Sequence, residues 1–126
     1  MHSLSVWRGL FTLATLALIG TPSSARAEEK YWYGLTAKHF GRIFHELEPK
    51  GWRPSGLRGY ASGKHSRYRI TWKSGGGLNW RMYIGMTPAD YRRRHRELAK
   101  EDYWVAELSI WRVDGKKRYA AIWRKE

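Results

Sequence analysis

Four arginines crowd one short stretch, "YRRRHRE" at 91–97, and a tryptophan follows at position 104. Guanidinium groups at this density suit anions, because each presents a fork of N–H donors to a carboxylate or phosphate. Arg92, Arg93, Arg94 and Arg96 are therefore the candidate anion- or partner-binding groups, with Trp104 as a candidate stacking surface for a sugar or a base. Arg92 and Arg96 are i, i+4 neighbours on one helix face. The plainer alternative is a solvated helix face whose long stems lie over apolar neighbours. Other chemistries lack their residues. His39 and His45 are six apart and fall on different helix faces, and no histidine pair has metal-ligand spacing, so no metal site is expected. The five serines of 28–126 include no Gly-x-Ser-x-Gly elbow. "SGGGLNW" lacks the Lys-Ser/Thr and helix signal of a phosphate loop. Glu46 and Glu97 could suggest paired-carboxylate catalysis, but a scaffold role explains them more economically. No catalytic residue and no cofactor are expected.

These groups must be held by a small chain. Its first stretch reads as a secretory signal: an apolar run of about a dozen residues, "LFTLATLALIG", is too short to span a bilayer comfortably. Ala25-Arg26-Ala27 then offers a small-x-small cleavage site. We therefore divide the chain into a signal peptide, 1–27, and a single mature domain, 28–126, with no transmembrane segment left after cleavage. The expected location is secreted or periplasmic. The mature part carries 22 basic residues against 11 acidic ones, a formal net charge of +11, and 17 aromatics, seven of them Trp. There is no cysteine, so rings rather than disulfides must supply the core.

The mature chain repeats itself at an offset of 51 residues without a gap. Gly34-Leu35-Thr36 falls on Gly85-Met86-Thr87, Phe40 on Tyr91, Glu46-Leu47 on Glu97-Leu98, and Trp52 on Tyr103. Arg67-Tyr68 falls on Arg118-Tyr119, and Trp72 on Trp123. The two copies are placed at about 34–84 and 85–126. Thr36 and Thr87 are helix N-cap candidates, reinforced at the second by Pro88 and Asp90. Phe40, Ile43, Phe44 and Leu47 make an i, i+3, i+4, i+7 stripe. Helices are predicted at 37–48 and 88–100. Strands are predicted at 52–61 and 67–73 around "SGKH", and at 103–112 and 117–124 around "VDGK". "SGGGLNW" is the junction. The fold class is α+β: two tandem helix–β-hairpin repeats forming antiparallel sheet packed by two helices.

The motifs "GWRP" at 51–54, Gly85-Met86-Thr87 and Arg118-Tyr119-Ala120-Ala121-Ile122-Trp123 resemble the tandem structural repeat of secreted bacterial proteins and fungal polyglycine hydrolases. The resemblance runs from about residue 34 to the end. In those hydrolases the chemistry belongs to a separate β-lactamase-like domain, and no Ser-x-x-Lys follows the signal here. The resemblance implies a non-catalytic accessory or binding module. The sequence departs from the family pattern at Arg69-Ile70-Thr71 in copy one and at "DYWVAELSIW" in copy two.

Residues kept in both copies are expected to serve the repeat itself: Thr36, Glu46, Arg67, Tyr68, Trp72, Thr87, Glu97, Arg118, Tyr119 and Trp123. Tyr68, Trp72, Tyr119 and Trp123 should be core. Arg67 and Arg118 are expected to pair with Glu46 and Glu97, or to stack on a ring. Trp32, Trp80 and Trp104 have no Trp counterpart, and either plug the gap between copies or form a stacking platform. Function is sought where the copies differ, above all at Arg92 to Arg96. Two readings follow. The first is a structural or binding module for an unknown protein or cell-envelope component. The second is a cationic protein binding an anionic polymer or surface (nucleic acid, anionic lipid or acidic polysaccharide) through the second helix. Two repeats leave terminal faces uncovered, so the chain either closes on itself as a monomer or forms a homodimer.

Overall fold

In each unit a Gly-x-Thr triplet turns a strand into a helix. The computed structural model describes residues 27–77 and 79–125. The expected signal segment lies outside them except for Ala27, as does Leu78 of the junction. Strand β1, Glu29–Leu35, leads into helix α1, Ala37–Leu47; strand β4, Trp80–Met86, leads into helix α2, Pro88–Ala99. Gly34 and Gly85 take φ of +72° and +65°, where both strands slip register. Only glycine adopts that region without strain. Leu35 and Met86 are buried beside them. The hydroxyls of Thr36 and Thr87 then accept from the backbone N–H groups of His39 and Asp90, at 3.1 and 3.0 Å. Asp90 returns the bond to the Thr87 N–H at 3.2 Å, closing a capping box.

A 3-10 turn, Glu48–Lys50, follows α1. The hairpins are β2, Arg53–Ser62, with β3, His65–Lys73, and β5, Trp104–Val113, with β6, Lys116–Arg124. Each unit is an antiparallel three-stranded sheet, ordered β1-β3-β2 and β4-β6-β5. The α+β class, the helices and the hairpins agree with the sequence reading. The opening strands β1 and β4 are additional to it, so each unit runs strand, helix, hairpin. Left-handed turn positions also repeat, as Gly51 and Gly63 in unit one and Asp102 and Asp114 in unit two.

The units pack asymmetrically. In sheet one, Tyr68, Ile70 and Trp72 point to one buried face, and Phe40 and Phe44 of α1 meet Tyr68 and Trp72 edge-on. In sheet two both faces are covered. Tyr119, Ala121 and Trp123 face α2, while Ala120 and Ile122 join the core shared with unit one. Trp80 plugs the gap between copies, edge-on to Phe44 and Trp72.

At the seam, strand β2 lies against β5. Ser109 Oγ accepts from the Gly59 N–H at 2.9 Å and lies 3.3 Å from the Gly59 carbonyl. One hydroxyl thus occupies both backbone groups of an edge residue. The Trp111 ring covers Gly59 so closely that a Cβ there would overlap it, and its indole N–H donates to Ser66 at 2.9 Å. Arg124 donates across the seam to the Pro54 carbonyl at 3.1 Å.

Two expectations follow. Gly59→Ala should destabilise the domain by about 1–3 kcal/mol, because the anchored Trp111 ring must move; a urea midpoint equal to wild type would contradict this packing. Hydrogen bonds from Thr87, with Arg93 adding to them, hold the Asp90 carboxyl below its ordinary range. Its contribution is complete above the unfolded-state value and lost as pH falls through the folded one. Amide protection in the first turn of α2 should therefore drop in acid. That of α1, with His39 at the equivalent position, should not follow it in the carboxylate range.

Candidate functional site

The second helix shows how the arginine-rich stretch is divided. Tyr91, Arg94, His95 and Leu98 occupy the places that Phe40, Ile43, Phe44 and Leu47 hold in α1. Arg94 turns inward and lays its guanidinium 3.8 Å from the centre of the Tyr83 ring. Its Nε is buried without a partner. His95 stacks on Tyr91, and its Nδ1 accepts from the Trp123 indole N–H at 3.3 Å. Tyr91 stacks on Tyr119 with centroids 4.9 Å apart. Burial, with Tyr119 beside it, raises the Tyr91 hydroxyl above its usual range. Planar polar groups, Arg94 and His95, thus replace the apolar Ile43 and Phe44 under this helix.

Arg92, Arg93 and Arg96 remain outside. Arg93 bonds Asp90 at 3.3 Å. Arg92 and Arg96 form no ion pair among the described residues. Trp104 is half exposed at the start of β5, registered against Arg124 rather than placed on the helix. The structure therefore does not gather the five candidate residues into one site.

The expected pairs Arg67–Glu46 and Arg118–Glu97 do not form. Among the described residues the ion pairs are Glu29–Lys73 and Asp90–Arg93. Arg67 and Arg118 donate instead to the carbonyls of Ser66 and Lys117. The cause is strand alternation: Tyr68 and Tyr119 face the helices, so the arginine before each points to the opposite side of its sheet. Glu46 and Glu97 are exposed on the helices. The remaining repeat residues lie in the core or at the caps.

Two surfaces were not foreseen. A cleft of about 450 Å³ opens at the repeat junction, lined by Arg53, Gly75 to Gly77, Asn79, Trp80, Arg124 and Lys125. It holds three cations and no carboxylate. Arg53 runs across Gly76, where any Cβ would overlap it. Its sequence signal is slight: the junction glycines follow the strand whose Lys73 registers against Arg53. The second surface is the outer face of sheet one. It is the counterpart of the face by which sheet two grips unit one, and within the described chain it grips nothing. There Tyr31, Tyr33, Arg58 and Arg69 stand where unit two has Met82, Ile84, Ser109 and Ala120. Its signal was present in the repeat alignment, at Arg69-Ile70-Thr71 against Ala120-Ala121-Ile122.

His95→Ala should cost roughly 1–3 kcal/mol, since it leaves the buried Trp123 N–H without an acceptor. Denaturant unfolding measures it, and an unchanged free energy would remove His95 from the packing scheme.

A comparison with curated proteins found no match. The polyglycine hydrolase-like structural repeat matches twice in tandem, at residues 29–74 and 77–126, and these segments correspond to the two strand–helix–hairpin units. The matched segments are structural repeats without a catalytic domain, and with nearly all of the described residues covered, the chain belongs to the polyglycine hydrolase-like structural repeat family.

Proposed function

We propose that this protein is a secreted, non-catalytic structural and binding module of an extracytoplasmic system. One observation supports the reading above others. The docking face of unit two is filled by unit one, whereas the same face of unit one is displayed with tyrosines and arginines. A repeat that has closed on its neighbour needs no such residues for its own packing. Tyr and Arg are the side chains that most often anchor protein recognition surfaces.

A second reading has its own support. Arg92 and Arg96 share one exposed helix face and have no carboxylate partner among the described residues. That arrangement suits an anionic polymer or surface.

Capture of the protein on cell-envelope components at low and high salt separates the two. The module reading expects capture that persists at physiological salt and is indifferent to Arg92→Glu/Arg96→Glu. Loss of capture in that variant, with a salt slope reduced by about 2, would instead establish the helix as the binding face. Absence of capture at every salt concentration would sink both.

A further inference from the structure

We infer that the outer face of sheet one binds an acidic polysaccharide, a glycan whose sugar rings carry carboxylates. This rests on the binding-module reading and gives that module its ligand.

The repeat supplies the comparison. Positions 31, 33, 58, 60, 69 and 71 share a backbone frame with 82, 84, 109, 111, 120 and 122. In unit two these hold Met, Ile, Ser, Trp, Ala and Ile, and the face is docked. In unit one they hold Tyr, Tyr, Arg, Tyr, Arg and Thr. Tyr31 is 54 % exposed and Tyr33 69 %. Arg58 stands directly across the strands from Arg69, with no ion pair to either among the described residues. Like charges so placed repel and weaken the hairpin. A bound anion would relieve that repulsion.

The neighbours of the arginines select among anions. Tyr31, Gly56, Arg58, Arg69 and Thr71 line a groove of about 250 Å³, and Glu107 of β5 joins them. Guanidinium forks take carboxylates bidentately. The Thr71 hydroxyl and the Glu107 carboxylate accept from sugar hydroxyls, donors that a DNA backbone does not carry. The Tyr31 and Tyr33 rings lie 5.8 Å apart and are tilted by 43°. The tilted pair offers two separate ring faces for the apolar sides of sugar rings.

The test is titration of the protein with an oligogalacturonate of defined length, followed by calorimetry and amide chemical shifts. The control ligands are the same oligomer with its carboxylates methyl-esterified and a single-stranded oligonucleotide of equal charge. Saturable binding is expected, with shifts on β1, β2 and β3 rather than α2. Esterification, Tyr31→Ala/Tyr33→Ala and Arg58→Gln/Arg69→Gln should each weaken it about tenfold or more. Arg92→Glu/Arg96→Glu should leave it unchanged. The mapped shifts in the unaltered protein keep the test decisive should a variant misfold. No binding of the oligogalacturonate, shifts confined to α2, undiminished binding by the face variants, or equal affinity for the oligonucleotide would each overturn the assignment. If the protein still captures envelope material in any of those cases, the module reading survives; if it captures none, both fall together.

Discussion

The contact between Gly59 and Trp111 sets the arrangement of the whole molecule. An edge strand leaves N–H and C=O groups facing outward. Unit two covers the edge of β2 with a hydroxyl that occupies both groups of Gly59 and with an indole ring laid on the same residue. A buried ring of 150–250 Å² contributes roughly 4–6 kcal/mol as an upper figure. That contribution is available only because residue 59 has no side chain. The equivalent position in unit two is Ile110, about half exposed. Unit two therefore has no socket of the kind it fills, and the same packing cannot simply be repeated on its other side.

Much of this architecture is written in the chain. The 51-residue offset, the two threonine caps and the Asp-Gly turn each have a local physical cause, and local causes survive translation from sequence to structure. The opening strands were illegible for a definite reason. Sheet two is covered on both faces, so Trp80–Met86 carries apolar residues on both sides and shows no clean alternation. Glu29–Leu35 is aromatic and mostly exposed on both sides. The arginine–glutamate pairs failed differently. Their retention in both copies was visible, but so was the alternation that sends Arg67 away from the face holding Tyr68, and the alternation decides.

The candidate arginines show a second limit of composition. Arg94 and His95 read as charge, yet the fold uses them as flat groups. Arg94 lies on Tyr83, and His95 sits in the ring stack and accepts from Trp123. In unit one the matching indole, Trp72, is buried with no acceptor, and Phe44 stands in the place of His95. Each copy accepts a different cost. Unit one gains apolar area and leaves a donor unsatisfied, at a cost of order 1–3 kcal/mol. Unit two satisfies its indole donor but leaves the Arg94 Nε–H buried without an acceptor. Which helix residues face solvent is therefore set by the ring they meet, a long-range fact that no local pattern contains.

Duplication also separates fold from function in a way a single unit could not. The shared backbone shows that the face of sheet one is compatible with an apolar surface, because unit two builds that surface at the same positions. Tyr31, Tyr33, Arg58 and Arg69 are thus not imposed by the strands that carry them. Placing Arg58 opposite Arg69 works against the β2–β3 hairpin, and neither arginine forms an ion pair among the described residues. A residue pair that lies open to solvent and is absent from the sister copy is what the proposed ligand would engage.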